Sequence, residues 1–200
     1  MDEAPEFGPH LLESLRTPLE EGEVRLARAA GSVRYPAQFQ LVLAANPCPC
    51  APAHDRDCNC PPLVRRKYLG RLSGPLLDRV DLRAQLQPVI ALSGPDLDPG
   101  ESTATVRARV LAARAAARDR WAEHGWRTNS EVPGPTLRTR FRLPESVVAP
   151  LEEGLRDGRL TARGADRALR LAWTIGDLAG RERPTRAMVE SAMGFKERAV

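Results

Sequence analysis

"FQLVLAANPCPC", residues 39–50, decides how the first half of this chain is read. An apolar run over 39–45 stops at Asn46 and breaks into a proline–cysteine loop. A run without regular polar alternation predicts a strand covered on both faces, as in a parallel sheet between helical layers. Polar side chains at the ends of such strands face the ligand crevice of an open α/β sheet. Asn46 is therefore a candidate to orient a water that attacks a γ-phosphate; the alternative is an asparagine that starts a turn before Pro47. Two further cysteines follow at once in "DCNC", residues 57–60.

Working outward, "FGPHLLESLRTPLEEG" places Leu11, Leu12, Leu15 and Leu19 at helical spacing, closed by Pro18 and Gly22. "EVRLARAAGSVRYP" then alternates Val24 and Leu26 before a Gly31-Ser32 turn signal, with Val33 and Tyr35 beyond it, which predicts a β-hairpin. After the cysteine loop, "VRRKYLGRL" predicts a helix and "SGPLLDRVDL" a short helix, with a closing strand near residue 88. Proline, glycine, aspartate and serine crowd residues 93–102 and mark a linker. Beyond it, Val106, Val110, Ala113, Ala117 and Trp121 share one face of an amphipathic helix. "TNSEVPGPTLRTRFRLP" reads as extended or irregular, and helices are expected at about 144–157, 162–180 from Thr161, and 185–193 from Thr185. The fold class is α/β followed by all-α.

Bulk properties narrow the function classes. Of 200 residues, 42% are hydrophobic and 28% charged, as in ordinary soluble globular proteins. No apolar stretch reaches membrane-spanning length and the N-terminus lacks a signal-peptide pattern, so a cytoplasmic protein without a membrane partner is expected. A formal charge of +4 is too small to argue for nucleic acid by itself. Lys67 and Lys196 are the only lysines among 30 cations. In a reducing cytosol disulfides are disfavoured, which leaves metal binding or catalysis for clustered cysteines.

Six groups of residues carry candidate chemistry. Asp2-Glu3 matches the acid pair with which a P-loop ATPase holds Mg²⁺ and polarises the attacking water, or is a solvated acidic terminus. Asn46 is the second. Arg79, anchored by Leu76 and Leu77, can be presented rigidly to a neighbour's nucleotide, or pair within the chain with Asp78 or Asp81. Arg163, in the first turn of its helix, can point from a helical lid toward phosphates, whereas Arg167 and Arg170 are expected in solvent. Cys48, Cys50, Cys58 and Cys60 form C-x-C, seven residues, C-x-C, a set that can enclose one tetrahedral Zn²⁺, with His54 able to replace one thiol. Free thiols are the alternative. Four thiolates would close the site, so its role is structural. Arg28 and Arg34 near the hairpin tip can grip nucleic-acid phosphates without sequence preference, or simply be solvated.

Taken in order, these motifs resemble the C-terminal part of the bacterial Mg-chelatase-like AAA+ ATPases, the ComM/YifB family. The stretches "DEAPEF", "LRTPLEEGEVRLARAAGSVRYPAQFQLVLAANPCPC", "KYLGRLSGPLLDRVDL", "ESTATVRARVLAARAAA" and "LTARGADRALRLAWTIGDLAG" carry the resemblance almost end to end. Position 67 is Lys where the family pattern leads one to expect Arg. The resemblance implies a truncated AAA+ core over 1–92, a linker over 93–102 and a helical lid domain over 103–200. It implies that Asp2 (holding Mg²⁺) and Glu3 are the Walker B pair, Asn46 sensor 1, Arg79 the arginine finger and Arg163 sensor 2, around ATP. Residues 24–35 are similar to the hairpin that lines the ring pore. It further implies a homo-hexamer that acts on DNA, in branch migration during uptake and recombination. A true metal-chelatase subunit that inserts Mg²⁺, and an inactive zinc-binding remnant, are the rival expectations. No G-x-x-x-x-G-K-[ST] phosphate loop occurs, so the chain alone is expected to bind ATP poorly.

Overall fold

In the computed structural model, residues 1–29, 31–52, 57–86 and 100–196 are described. They divide into two compact units, one of Met1–Val80 with Leu86, the other of Asp81–Gln85 with 100–196. His54, the expected strand near residue 88 and most of the expected linker lie outside the described residues.

The first unit opens with a 3₁₀ turn at Ala4–Phe7, followed by helices α1 (Gly8–Ser14) and α2 (Arg16–Glu21). The single helix expected here is two, because the chain breaks at Leu15. Pro18 sits inside α2 near its start, where its missing N–H costs nothing, and Gly22 ends it at φ 68°. β1 (Glu23–Arg28) and β2 (Gly31–Pro36) pair antiparallel, with Val24 opposite Tyr35 and Leu26 opposite Val33. The hairpin is as expected, but Gly31 and Ser32 belong to the second strand rather than to the turn. α3 (Pro62–Leu69) and α4 (Gly74–Leu77) complete the unit. Ser73 caps α4 by accepting the Leu76 N–H at 3.2 Å.

The expected layered α/β sheet is corrected by this structure. Among the described residues the only sheet is the two-stranded hairpin. Residues 39–45 form no assigned strand and are not covered on both faces: Phe39 and Ala44 are exposed and Val42 is 66% exposed. A strand is buried by its neighbours, and among the described residues this run has one backbone partner, the segment Met1–Ala4.

The second unit is helical: α5 (Thr103–Trp121), α6 (Gly134–Arg138), α7 (Glu145–Arg156), α8 (Ala162–Leu178) and α9 (Arg186–Gly194), with 3₁₀ turns at Ala122–His124 and Asn129–Glu131. Ser102 and Thr161 cap α5 and α8 through their hydroxyls. The core joins Ala117, Trp121, Val132, Leu137, Leu151, Leu169, Trp173 and Met193. Trp121 meets Phe141 and Trp173 edge-on, with ring centroids 4.8 and 5.5 Å apart. The amphipathic face of α5 holds only in its second half: Ala113, Ala117 and Trp121 are buried, whereas Val106 is exposed. Residues 82–86 are not a strand; the Arg83 N–H donates to the Phe195 carbonyl at 3.0 Å.

No helix among the described residues is long and apolar enough to cross a membrane.

Candidate functional site

The acid pair and Asn46 are brought together by backbone geometry. The Met1 amino group donates to the Val42 carbonyl at 2.8 Å, and the Ala44 N–H donates to the Met1 carbonyl at 3.0 Å. Two such bonds bracket Leu43 and mark a parallel pairing of Met1 with it. The next bond, Ala4 N–H to the Ala44 carbonyl at 2.8 Å, skips one residue. Glu3 causes the skip, because it adopts a left-handed conformation at φ 48°. A side chain with a Cβ pays about 1–2 kcal/mol there, and the turn lifts Glu3 out of the ladder. The two segments run the same way, so Asp2-Glu3 and Asn46 leave the pair at the same end. Asp2 and Glu3 are exposed and Asn46 is half-buried. Asp2 is fixed by accepting the Glu3 N–H at 2.9 Å.

The four cysteines also converge. Their sulfurs all lie within 4.8 Å of one another, with Cys48 to Cys50 at 3.2 Å, Cys48 to Cys58 at 3.4 Å and Cys50 to Cys58 at 3.7 Å. A tetrahedron of thiolates around zinc, with bonds of about 2.3 Å, has edges of about 3.8 Å. The donor set therefore fits a metal such as zinc, and all four thiols are free to serve. Local geometry produces this: the Ala51 N–H returns to the Cys48 carbonyl at 3.2 Å, and Ala51 takes φ 44°. That turn folds Cys50 back over Cys48. Cys48 is 1% exposed and Cys50 faces solvent, so the cluster is walled on one side only.

Tyr68, which the sequence reading did not single out, ties the two features together. It is buried on α3, and its phenol pKa is raised by burial first, then by the charges of Glu6 and Glu3, with Cys48 contributing. Arg71 lies over its ring at 5.9 Å, pairs with Glu6 at 3.1 Å and donates to the Pro5 carbonyl at 3.3 Å. The helix after the cysteine loop is thus docked on the segment after the acid pair. One signal was legible: Tyr68 and Arg71 are three residues apart, the spacing of helical neighbours.

The arginines divide. Arg79 is 11% exposed at its side chain and bonded to Glu20 of α2, with Nε at 3.1 Å, and its Nη1 donates to the Pro75 carbonyl at 2.8 Å. Its partner is Glu20, not the Asp78 or Asp81 that sequence proximity suggested. Arg28 and Arg34 are exposed on the hairpin, Arg34 at 4.0 Å from Glu23. Arg163 is exposed in the first turn of α8, in the helical unit. The expectation that Arg167 and Arg170 lie in solvent is corrected. Arg167 pairs with Asp81, and Arg170 donates to the Val132 carbonyl at 2.8 Å, its pKa lowered first by burial. Both groups are drawn in because α8 packs along two sides rather than one.

The family model for magnesium chelatase, subunit ChlI, matches residues 1–92, and that for the ChlI C-terminal region matches residues 100–196. The chain is 54% identical over 197 residues to an uncharacterised protein of Mycobacterium tuberculosis, covering 98% of this chain and 39% of that protein. It is 36% identical over 197 residues to the uncharacterised protein YifB of Escherichia coli, and 34% identical over 198 residues to the competence protein ComM of Haemophilus influenzae. Each of these two alignments covers 98% of this chain and 38% of the relative. The chain thus spans well under half the length of the curated relatives it matches.

Proposed function

Because the chain belongs to the magnesium chelatase ChlI-like family, alongside ComM and YifB, we propose that it is the C-terminal part of a ring-forming, ATP-driven DNA motor. In this reading Asp2 holds Mg²⁺, Glu3 polarises the attacking water and Asn46 orients it. Arg79, released from Glu20, reaches the nucleotide of a neighbouring subunit, and Arg163 contacts phosphate from the helical unit. Arg28 and Arg34 grip DNA phosphates in the pore of a cytoplasmic homo-hexamer. The four-cysteine loop holds Zn²⁺ and steadies the end of the segment that carries Asn46.

One observation carries the proposal: the parallel backbone pairing of Met1 with Leu43, which sends the acid pair and the amide out of the same end. Water activation and water orientation need those groups side by side. A phosphate loop must be supplied from outside these 200 residues, so the chain alone should show no micromolar affinity in a fluorescent-nucleotide titration.

The deciding experiment joins the chain to a phosphate-loop segment of its family and measures ATP hydrolysis with and without single-stranded DNA. Stimulation by DNA, abolished in Glu3→Gln, supports the motor. The family models, described as magnesium chelatase, favour a second reading in which hydrolysis drives Mg²⁺ insertion into a tetrapyrrole. Hydrolysis indifferent to DNA but coupled to insertion would select it. No hydrolysis at all, with zinc retained, would leave a metal-bearing interaction module.

A further inference from the structure

Helix α3 carries charge that the proposed site does not use. Between Asp57 and Asp78 the chain has no acidic residue and four cations, Arg65, Arg66, Lys67 and Arg71, a local charge equal to the +4 of the whole chain. Arg71 is turned inward onto Glu6, the Pro5 carbonyl and Tyr68. The other three are exposed, and none has an ion pair among the described residues. Adjacent like charges repel unless an anion joins them.

Helical geometry sorts these side chains. With Tyr68 as the buried position, steps of 100° put Leu63 and Arg66 on the opposite side, Lys67 on the flank next to Leu63, and Arg65 on the other flank, nearer Tyr68. The outward position of Leu63 agrees with its 72% exposure. The face therefore presents cations around an uncovered apolar side chain. Phosphates suit the first, and the sugar and base surfaces of an unpaired strand suit the second. Duplex backbone offers no such apolar surface.

Rigidity comes from the ends. An eight-residue helix is too short to persist alone. Here Tyr68 anchors it from below, and Cys60 lies two residues before its start at Pro62, with Pro61 between. Metal in the cysteine cluster would fix the point from which α3 departs.

We propose that the outward face of α3, held by the four-cysteine loop, is a contact surface for single-stranded nucleic acid, separate from Arg28 and Arg34 of the hairpin. The inference rests on the reading of this chain as part of a DNA-acting protein. Its ligand is the strand's phosphate backbone, bound without sequence preference.

The test is fluorescence anisotropy of the zinc-loaded chain with labelled oligothymidylate, and with a duplex of the same length, across a salt series. Arg65→Ala/Arg66→Ala/Lys67→Ala should weaken binding about tenfold or more and reduce the slope of log affinity against log salt by about 2, as expected for three lost phosphate contacts on a single strand. Arg28→Ala/Arg34→Ala should leave a measurable residual affinity that the α3 substitutions then remove. Chelation of the metal should weaken binding as the α3 variant does. If the triple variant loses its metal or its helical dichroism, Arg66→Glu, with Arg65→Lys/Arg66→Lys as its charge-preserving control, decides in its place. Unchanged affinity and salt slope in the α3 variants, with binding lost in the hairpin variant, overturns the inference and leaves the DNA reading standing. Preference for the duplex also overturns it. No binding by the unaltered chain at low salt overturns both.

Discussion

Residues 39–45 and the middle of α8 are both rich in apolar residues. One is largely exposed; the other supplies Ala168, Leu169, Ala172 and Trp173 to a closed core. A helix satisfies its own backbone and needs a single packed face, which α5 and α9 provide. An extended segment must borrow its hydrogen bonds from neighbours. Among the described residues, 39–45 have only Met1–Ala4 to borrow from, so their order depends on the loop that follows. The first unit is held by links and the second by packing.

Metal removal should test that contrast most severely. Structural zinc couples on the order of 10 kcal/mol to the folding of a small site. Chelation is expected to strip amide protection from the cysteine loop and α3 while α7, α8 and α9 keep theirs. Hydrogen exchange read by mass spectrometry distinguishes the regions. Equal loss in both, or in neither, would break the comparison.

Within the helical unit, Trp121→Ala should cost about 3–5 kcal/mol. The ring is fully buried among Phe141, Trp126 and Trp173, and no single neighbour can collapse into its place. Urea unfolding followed by circular dichroism gives the number. A loss below about 1 kcal/mol would mean that the core is not organised around this residue.

Asp177→Asn comes next. Asp177 accepts from Arg120 and from Asn129 Nδ2 at 2.8 Å, while Asn129 Oδ1 accepts from the Trp121 indole at 2.8 Å. Arg120 also lies over the Trp173 ring at 4.7 Å. Neutralising the carboxylate leaves a guanidinium with little solvent, at an expected cost of about 2 kcal/mol, less than for a fully buried charge because the arginine keeps some exposure. The same denaturation experiment on Arg120→Met/Asp177→Leu should recover part of the loss.

These residues show what the sequence exposes and what it hides. α7, α8 and α9 were legible because apolar spacing and Thr161 are local signals. The cysteine cluster was legible from spacing alone. Asn129 was not, since nothing local says that an asparagine in a stretch rich in turn-forming residues will be buried against a tryptophan and an aspartate 48 residues away. The helix α6 hid in the same stretch behind Pro133, Gly134 and Pro135, although proline in a first helical turn is a start signal. Burial of 39–45 was misjudged because apolar sequence reports what a strand wants, not which partners are within reach. Glu20 went unseen as the partner of Arg79 for the same reason: the pair spans 59 residues.

The smallest expected effect concerns the link between α1 and α4. The Ser73 hydroxyl donates to Glu13 while its oxygen caps α4 by accepting the Leu76 N–H. Ser73→Ala should cost about 1 kcal/mol through the lost cap. It should also change the pH dependence, because Glu13 is held below the ordinary carboxylate range first by the Ser73 hydrogen bond and then by Arg16. A depressed pKa contributes stability above the unfolded value, and that contribution disappears as pH falls through the folded value. The gap between the unaltered chain and Ser73→Ala should therefore be widest near neutrality and narrow below the normal titration range of glutamate. Thermal melts of both proteins from neutral to acid pH would reveal it. A gap that stays constant would assign the whole effect to the cap and none to the carboxylate.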